Sequence, residues 1–356
     1  MTTYLLAGGG TAGHVNPLLA LADRIRSHEP DSVILALGTV EGLESRLVPL
    51  RGYELLTVAR LPFPRRPNKY ALIFPIKYRK AVLEVRKFIR ERGVDIVVGF
   101  GGYASAPAYE AARAEGVPFA IHEANALPGM ANRRGSKTAA AVAVAFEGTP
   151  LKGAQLVGMP LRAEIEGLVR GVDKAAARKY FGLDENTVTL LVTGGSLGAQ
   201  RINETIEKSR HVLSAAGIQV LHIMGGRSDL PEVNEANYVR IAYCDNMELA
   251  IAAADVAVAR SGAATVSEFS AVGLPAIYVP YPVGNGEQAL NASAAVSAGA
   301  AILVKDADFT PEFVTDTIVP LVSDNKRIAM MSASSALVSI TDGAERLYRL
   351  VAGLKG

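Results

Sequence analysis

The stretch GGGTAGH, from Gly8 to His14, decides the fold, because it follows a short apolar run and precedes a helical pattern. A second stretch, GGSLGAQ from Gly194 to Gln200, stands in the same context in the other half of the chain. A strand, a glycine loop and a helix that recur in each half predict two Rossmann-like domains in tandem.

Short runs rich in Val, Ile and Leu alternate with helical patterns along both halves. The predicted strands are Thr3–Ala7, Ser32–Leu37, Ile96–Gly99, Phe119–His122 and Ala141–Ala145, then Val188–Val192, Gln219–Met224, Val256–Ala259, Ala276–Val279 and Ala301–Val304. Apolar runs of this kind are typical of strands buried on both faces, so an α/β fold with two parallel sheets is predicted. Ligand is expected in the cleft between the sheets, at the carboxyl ends of the strands.

Length and composition narrow the class of protein. The chain has 356 residues, which favours two domains, and 49% apolar with 20% charged residues excludes a disordered chain. The lone Cys244 excludes an intramolecular disulfide and indicates a reducing compartment. Neither a secretory signal nor an apolar run of the ~18 residues that span a bilayer is predicted.

Two further turns share the design of the glycine loops, namely Gly99–Gly102 and Arg260–Gly262. Without side chains, backbone N–H groups and the helix dipole approach an anionic group closely. A tight turn explains any one of these loops equally well, but the four together favour a phosphate or diphosphate ligand.

The first loop also fits the G-x-G-x-x-G pattern of dinucleotide-dependent oxidoreductases. That reading requires an acidic residue about 20 positions later, at the end of the second strand, but the strand here ends in Leu37-Gly-Thr39. His14 would also crowd a pyrophosphate lying across the loop. Nicotinamide chemistry therefore ranks below nucleotide-sugar chemistry.

Metal-dependent chemistry receives little support. The five His residues and one Cys show no metal-ligand spacing. Asp306-Ala-Asp308 resembles the D-x-D of some sugar transferases, but it precedes Thr310-Pro311, a helix N-cap followed by Pro at the first helical position. We therefore predict a turn at this place and no bound metal or other cofactor.

Basic residues concentrate in the first half, where residues 1–160 hold 20 Lys and Arg against 13 Asp and Glu. After Pro75, apolar residues at helical spacing predict a helix packed on the N-terminal domain. The residues before and beside this apolar stripe form an apolar–basic segment, which consists of Leu72, Ile73, Phe74, Ile76, Arg65, Arg66 and Lys69. We expect this segment to face an anionic membrane surface. A solvated basic helix is the alternative, and a net charge of only +2 argues against nucleic acid.

Seven motifs occur in the order and spacing of one known family. They are GGGTAGH (8–14), GFGGYASAP (99–107), HEANALPGMANR (122–133), GMPLR (158–162), GGSLGAQRIN (194–203), ARSGAATVSE (259–268) and EQALNA (287–292). Together they resemble the MurG family, the transferases that move N-acetylglucosamine from UDP-N-acetylglucosamine to undecaprenyl-pyrophosphoryl-N-acetylmuramyl pentapeptide (lipid I) in bacterial peptidoglycan synthesis. The resemblance covers essentially the whole chain.

The resemblance implies a glycosyltransferase B fold with the active site in the interdomain cleft. It implies an N-terminal domain (1–160) for the acceptor, a C-terminal domain (161–342) for the donor, and a last helix (343–356) that packs back on the N-terminal domain. The reaction would be inverting, with the muramyl C4 hydroxyl displacing UDP to give lipid II. A peripheral location on the cytoplasmic face of the cell membrane follows, with other cell-wall synthesis proteins as further partners.

The resemblance also implies a donor site. In the C-terminal domain it comprises Ser196 at the diphosphate, Glu268 on the uridine ribose, the backbone of Cys244 at the uracil, Gln288 on the sugar hydroxyls, and the small residues Ala263, Ala264, Thr265, Val266 and Ser267. Arg162 would face the diphosphate, and Thr11, Ala12, Gly13 and Asn125 would contribute from the N-terminal loops. Each position also has a structural alternative, such as a helix N-cap for Ser196.

On the acceptor side, the resemblance implies His14, Gly101, Gly102 and Tyr103. Attack by a hydroxyl requires removal of a proton, and His14 is the candidate catalytic base because its reference pKa of ~6.5 suits that task. A role in fixing its own loop is equally open. His122-Glu123 is an alternative base or orienting pair, although a buried strand-end histidine is the preferred interpretation.

Two other functions remain open from the sequence. One is a different nucleotide-sugar enzyme on the same fold, such as a natural-product glycosyltransferase or an epimerase, because fold alone does not determine function. The other is a non-catalytic sensor that binds UDP-N-acetylglucosamine without turning it over.

Overall fold

The computed structural model describes residues 1–64, 66, 68–195, 198–283 and 285–355. The chain divides into two compact units, one made of Met1–Arg162 with Asp342–Gly356 and the other of Ala163–Thr341. The sequence analysis placed these divisions at 160/161 and 342/343. Arg162, assigned there to the C-terminal domain, is the last residue of the first stretch of the first unit.

The first unit contains a seven-stranded parallel sheet. Its strands are β1 (Thr3–Ala7), β2 (Val33–Gly38), β3 (Glu54–Thr57), β4 (Ile96–Gly99), β5 (Phe119–Glu123), β6 (Ala141–Val144) and β7 (Ala154–Leu156). They lie in the order β3-β2-β1-β4-β5-β6-β7. The helices that follow these strands are α1 (Ala12–His28), α2 (Glu44–Leu50), α3 (Lys69–Glu91), α4 (Ser105–Glu115) and α5 (Met130–Gly135). Both faces of β1 are buried, because apolar clusters lie on either side of the sheet.

The second unit repeats this arrangement. Its helices are α6 (Ala163–Arg170), α7 (Lys174–Tyr180), α8 (Gln200–Lys208), α9 (Arg210–Ala215), α10 (Met247–Ala253), α11 (Ala263–Ala271), α12 (Glu287–Asn291), α13 (Ser293–Ser297), α14 (Pro311–Phe313), α15 (Val319–Val322) and α16 (Asn325–Ala336). Its strands are β8 (Thr189–Thr193), β9 (Gln219–Ile223), β10 (Val233–Glu235), β11 (Tyr238–Ile241), β12 (Val256–Ala259), β13 (Ala276–Tyr278) and β14 (Ala301–Leu303), in the order β10-β11-β9-β8-β12-β13-β14. All pair in parallel except β10, which is antiparallel to β11 at one edge. The predicted class of two parallel-sheet α/β domains is confirmed.

The sequence predicted ten of these strands and missed β3, β7, β10 and β11. Three of the missed strands lie at sheet edges, where none of their residues is fully buried. An edge strand buries little surface, so it lacks the continuous apolar run by which the central strands were identified.

Helix α3 includes residues on both sides of Pro75. Asn68 caps it by accepting a hydrogen bond from the backbone N–H of Ala71 at 2.9 Å, and the helix continues through Pro75 for 23 residues. The helical spacing after Pro75 is therefore confirmed, and the cap at Asn68 places the start of the helix before the proline. Val85 and Ile89 on the second half of α3 are buried, as the apolar spacing predicted. Among the described residues, no helix is both long and apolar enough to cross a membrane.

The last helix, α17 (Gly343–Ala352), belongs to the first unit. Its side chains Leu347 and Val351 are fully buried in the core on the α1 side of the first sheet. Glu29 accepts hydrogen bonds from the Tyr348 hydroxyl at 2.9 Å and from Lys355 Nζ at 2.5 Å. Burial raises the pKa of Glu29, but these and other hydrogen bonds outweigh burial and lower it to about 2. A charged Glu29 therefore holds the end of the chain to the first unit.

Candidate functional site

Three loops of the first unit lie at one end of the sheet, after β1, β4 and β5. These strands are neighbours in the sheet, so the loops at their carboxyl ends are neighbours as well. Helix α1 begins in the first loop, with Thr11 as its N-cap and no acidic residue in its first turn. Thr11 is exposed, and Ala12 and Gly13 are partly exposed, so the positive end of the helix dipole is accessible from this edge.

His14 lies in the first turn of α1 with its imidazole directed back at the loop. Its Nδ1 is 3.1 Å from the carbonyl oxygen of Gly9. Because a carbonyl only accepts, this contact places the hydrogen on Nδ1 and leaves Nε2 with a lone pair. Desolvation lowers the pKa of His14 below its ordinary value, while the Gly9 carbonyl and the charges of Glu123 and Glu44 act in the opposite direction. The ring is thus neutral at pH 7 and able to accept a proton at Nε2.

Two glycines bring the β4 loop against the β1 loop. A Cβ atom at Gly102 would lie 2.6 Å from the carbonyl oxygen of Gly9, and one at Gly101 would lie 3.1 Å from Nε2 of His14. Both glycines also have positive φ, +92° at Gly101 and +79° at Gly102. A side chain at Gly102 is therefore excluded both by space and by backbone conformation, and one at Gly101 is disfavoured by backbone conformation.

Glu123, at the end of β5, organises the third loop. It is 3% exposed, and its carboxylate accepts hydrogen bonds from the backbone N–H of Asn125 at 2.9 Å, from that of Gly129 at 3.0 Å and from Asn132 Nδ2 at 2.9 Å. All three partners donate, so this carboxylate fixes the loop that carries Asn125. Of the two roles predicted for Glu123, the structure supports the orienting one.

His122 is a buried structural residue, as the preferred interpretation had it. It is fully buried, its Nε2 lies 3.0 Å from the carbonyl oxygen of Gly158, and burial lowers its pKa to about 4. Tyr103, by contrast, is partly exposed, and the guanidinium of Arg60 lies 5.1 Å from the centre of its ring. This cation–π contact brings a positive charge to the loop after β4.

In the second unit, the loop after β8 approaches the end of β9 through glycines. A Cβ atom at Gly198 would lie 2.5 Å from the carbonyl oxygen of Met224, and one at Gly225 would lie 2.2 Å from the amide nitrogen of Gly198. Asn203 of α8 donates to the same Met224 carbonyl at 3.0 Å. The predicted diphosphate residue Ser196 lies outside the described residues.

An uncharged hydrogen-bond network lies next to this loop, at the end of β9. Asn203 Oδ1 lies 3.0 Å from Nε2 of His222, whose Nδ1 lies 2.8 Å from the Tyr238 hydroxyl. Desolvation, with the charge of Arg240, lowers the pKa of His222 to about 3, so the imidazole is uncharged.

Helix α11 carries the predicted ribose ligand. Glu268 is 9% exposed on this helix. The side chains of Ala263 and Val266 belong to the core, at 6% and 3% exposed. Of the small residues predicted to contact the donor, only Ala264, Thr265 and Ser267 present partly exposed side chains.

Helix α12 places Gln288 and Asn291 on adjacent turns. Gln288 accepts a hydrogen bond from the backbone N–H of Tyr281 at 2.9 Å, which leaves its amide hydrogens as donors. Asn291 is buried and donates to the carbonyl of Ser261 at 3.2 Å, so it joins α12 to the turn before α11. Cys244, which follows β11, is half-buried.

The D-x-D sequence has a structural role. Asp306–Asp308 forms a 3₁₀ turn, and the Thr310 side chain caps the next helix by accepting from Phe313 N–H at 3.3 Å, which confirms the predicted turn and cap. Asp306 lies 2.6 Å from Arg260 in an ion pair. Within the described ranges, no cluster of three His, Cys, Asp or Glu residues suits a metal ion; the absence of a metal in catalysis stays a prediction.

The apolar–basic segment is largely exposed. Leu72 is 80%, Ile76 73% and Ile73 44% exposed, and Arg66 and Lys69 are exposed as well. The remaining two residues differ. Phe74 is partly buried, because its ring packs against Phe63, Tyr70 and Tyr78, and Arg65 lies outside the described residues.

The sequence analysis missed three residues of these loops: Glu44, Asn132 and Arg60. Asn132 stands inside the quoted motif HEANALPGMANR, where its buried contact with Glu123 was not considered. Glu44 follows Gly38, at the end of the second strand, and Gly42, in the turn before α2, and this proximity was the only available signal. Arg60 appeared only as one positive charge among many.

Comparisons with known proteins agree with this geometry. Residues 4–144 match the glycosyltransferase family 28 N-terminal domain, and residues 189–347 match the glycosyltransferase family 28 C-terminal domain. A relative from Clavibacter sepedonicus, named UDP-N-acetylglucosamine–N-acetylmuramyl-(pentapeptide) pyrophosphoryl-undecaprenol N-acetylglucosamine transferase, is 58% identical, with 99% of this chain and 96% of the relative covered. A Streptomyces coelicolor protein of the same name is 47% identical over 98% of this chain and 96% of its own.

Solved structures show the same architecture. The crystal structure of Acinetobacter baumannii MurG matches with a TM-score of 0.78 and 25% identity, over 99% of this chain and 100% of that one. A UDP complex of Staphylococcus aureus MnaA matches with a TM-score of 0.69 and 14% identity, over 98% and 95% of the two chains. At that identity the second likeness shows the fold alone.

Proposed function

The chain belongs to the MurG family within glycosyltransferase family 28, and from this membership we propose which of its residues bind the two substrates and which one acts as the base. The chain transfers N-acetylglucosamine from UDP-N-acetylglucosamine to N-acetylmuramyl-(pentapeptide) pyrophosphoryl-undecaprenol in peptidoglycan synthesis. The observation that carries this function is identity of 47–58% over almost the whole chain to proteins of that name. The roles of individual residues below are our proposal.

The proposed reaction is a direct displacement. The muramyl C4 hydroxyl attacks the anomeric carbon of the donor sugar, a new glycosidic bond forms, and the bond from that carbon to the diphosphate oxygen breaks with inversion. The hydroxyl proton goes to a base, and the bonding electrons leave with UDP. His14 is the base in this proposal, because its Nδ1–H is engaged by Gly9 and its Nε2 is unprotonated.

The acceptor groups around His14 have separate roles. Gly101 and Gly102 hold the loop after β4 close to Gly9 and His14, where the acceptor hydroxyl would bind. Tyr103 and the Arg60 guanidinium beside it supply an aromatic face and a positive charge. We assign the charge of Arg60 to the pyrophosphate of the acceptor, because a guanidinium donates to phosphate through a planar fork.

The proposed donor groups lie mainly in the second unit. Glu268 accepts from the ribose hydroxyls, and the amide hydrogens of Gln288 donate to the sugar. Ala264, Thr265 and Ser267 offer the small, partly exposed surface that a nucleoside requires. The predicted contacts of Ser196, Arg162, Cys244, Thr11, Ala12, Gly13 and Asn125 with the donor stay predictions.

We further propose that the apolar–basic segment binds an anionic membrane surface, at the cytoplasmic face of the cell membrane. Leu72, Ile73 and Ile76 are exposed beside Arg66 and Lys69, an arrangement typical of peripheral membrane proteins. A membrane-bound acceptor gives this attachment a function, because it keeps the enzyme close to its substrate. Other cell-wall proteins remain expected partners from the family resemblance alone.

The proposal is tested by incubating the purified protein with UDP-N-acetylglucosamine and a short-chain analogue of the lipid acceptor, with and without a chelator. We expect UDP release matched by disaccharide product in both samples, since no metal takes part in the proposed displacement. Product only without chelator would contradict metal independence and leave the transfer itself intact. Donor binding without product on any lipid acceptor would contradict the transferase assignment and favour a sensor.

A further inference from the structure

We propose that Glu44 is a positioning residue that orients His14 through one peptide group, the one between Gly9 and Gly10. Glu44 lies in α2, 30 residues after His14, and the sequence motifs do not include it. The inference rests on the proposed role of His14 as the base. It adds a residue whose function is to hold that base in one orientation and tautomer.

The Glu44 carboxylate is fully buried and accepts three hydrogen bonds. Its Oε2 accepts from the backbone N–H of Gly10 at 2.7 Å, and its Oε1 accepts from the N–H and the hydroxyl of Thr39 at 2.8 and 2.9 Å. Every partner is a donor, which suits a deprotonated carboxylate and no neutral substitute. Because these hydrogen bonds go to the loop after β1 and to the residue after β2, the buried carboxylate holds the two segments together.

His14 contacts the other side of the same peptide group. The carbonyl oxygen of Gly9 and the N–H of Gly10 belong to one planar unit and point in opposite directions. Glu44 binds the N–H, and Nδ1 of His14 binds the carbonyl at 3.1 Å. Rotation of this peptide would break both contacts, so Glu44 determines where the carbonyl that selects the His14 tautomer points.

Three glycines provide the space for the carboxylate. A Cβ atom at Gly9 would lie 2.2 Å from Glu44 Oε1, one at Gly38 2.3 Å from Glu44 Cγ, and one at Gly42 2.1 Å from Glu44 Oε2. These glycines come from the β1 loop, the end of β2 and the turn before α2. The carboxylate therefore fills a space that three chain segments leave open for it.

The charge of Glu44 acts on the same imidazole. Three titratable groups interact with His14: Glu44 from α2, Glu123 from the end of β5, and His122 on β5. Desolvation lowers the pKa of His14, and the two carboxylates raise it. Removing the charge of Glu44 therefore lowers the pKa further, and the protonation that abolishes base catalysis then occurs at a lower pH.

The test compares Glu44→Gln with Glu44→Asp and with Thr39→Val, which removes one hydroxyl donor to the same carboxylate but leaves the Gly10 contact. For Glu44→Gln we expect kcat to fall about tenfold, less than loss of the base itself, with the KM for UDP-N-acetylglucosamine unchanged. The acid limb of the pH–rate profile moves to lower pH. Glu44→Asp keeps the charge and the wild-type acid limb, and Thr39→Val changes kcat by less than about threefold.

Nitrogen-15 NMR of the histidine rings provides a readout independent of activity, with the His14 signal assigned from His14→Ala. In the wild type we expect neutral His14 to carry its hydrogen on Nδ1, and in Glu44→Gln we expect a mixture of tautomers with a lower pKa. A wild-type ring with its hydrogen on Nε2 would overturn the inference, even if Glu44→Gln fails to fold. A folded Glu44→Gln with unchanged tautomer, pKa and acid limb would overturn it as well.

The same experiment separates the inference from the proposed function. If His14→Ala retains full kcat, the base is another group and the proposed role of His14 fails. The NMR comparison of wild type and Glu44→Gln still reports whether Glu44 orients the ring.

Discussion

The glycine loops after β1 and β8 have the same design in sequence but different surroundings in the two units. In the first unit, the buried carboxylate of Glu44 accepts a hydrogen bond from the N–H of Gly10, and the carbonyl of the same peptide group contacts Nδ1 of His14. In the second unit, Gly198 lies against the main chain at Met224, and the uncharged pair Asn203 and His222 supports the loop. The first loop therefore lies beside a buried negative charge, whereas the described part of the second loop lies on an uncharged support.

The largest effect expected from this comparison is that of His14→Ala. Loss of a general base lowers kcat by about 10²–10⁴-fold, because no other group of the first loop takes the hydroxyl proton in our proposal. Steady-state transfer to a lipid acceptor analogue measures this effect. Donor affinity, measured by calorimetry, should not change, and a variant with normal kcat would break the contrast between the two loops.

Glu268→Ala tests the proposed donor site in the second unit. We expect the affinity for UDP-N-acetylglucosamine to fall about 10- to 100-fold, the value of one or two hydrogen bonds to a charged group, because the ribose hydroxyls lose their acceptor. Calorimetry with UDP-N-acetylglucosamine and with UDP checks it. Ser270→Ala, a buried neighbour on the same helix, is the control for a general effect on α11. Equal affinities of Glu268→Ala and wild type would remove Glu268 from the donor site.

A matched pair of glycine variants compares the two loops directly. A Cβ atom at Gly102 would lie 2.6 Å from Gly9 oxygen, one at Gly198 would lie 2.5 Å from Met224 oxygen, and φ is +79° and +83° respectively. Each change to Ala should cost about 1–3 kcal/mol of local strain. We expect Gly102→Ala to lower kcat with donor affinity kept, and Gly198→Ala to weaken donor binding. The reverse pattern would contradict our assignment of the two loops.

The smallest effects are expected from single exposed basic residues, which we compare between the two units. Arg66→Ala and Lys69→Ala should each weaken binding to anionic vesicles about fivefold, since a basic residue near such a surface contributes ~1 kcal/mol. Vesicle sedimentation at low and high salt measures it. Lys326→Ala and Arg327→Ala remove exposed charges of the second unit and should leave binding unchanged. Equal losses in both pairs would show that the apolar–basic segment has no special role.

The fold was largely predictable, because the central strands are buried on both faces and therefore appear as continuous apolar runs. Strands such as β3 and β7 were missed because edge positions bury few side chains. The apolar spacing after Pro75 predicted the second half of α3 but not its start, which the cap at Asn68 determines. Local patterns thus predicted the elements that bury surface more completely than the ends of those elements.

The candidate site was predictable only in its backbone. Glycine at 9, 10, 101 and 102 indicated loops that approach a ligand, and the family resemblance made His14 a candidate base. The contact between Glu44 and Gly10 joins residues 34 positions apart, and that between Glu123 and Asn132 is contained in a motif but has no periodic signature. Side-chain hydrogen bonds of this kind leave no periodicity in the sequence by which they can be found.

By itself, the sequence determined that this chain forms two parallel-sheet units with glycine loops after their strands, since strand burial and positive φ are local demands on residue type. Only the tertiary structure decided the surroundings of each loop. It did so by bringing Glu44, Gly9 and His14 together in one unit and Gly198, Asn203 and His222 together in the other. The physical reason is that a donor or acceptor acquires its role from its partner, and these partners become neighbours only when the strands pair.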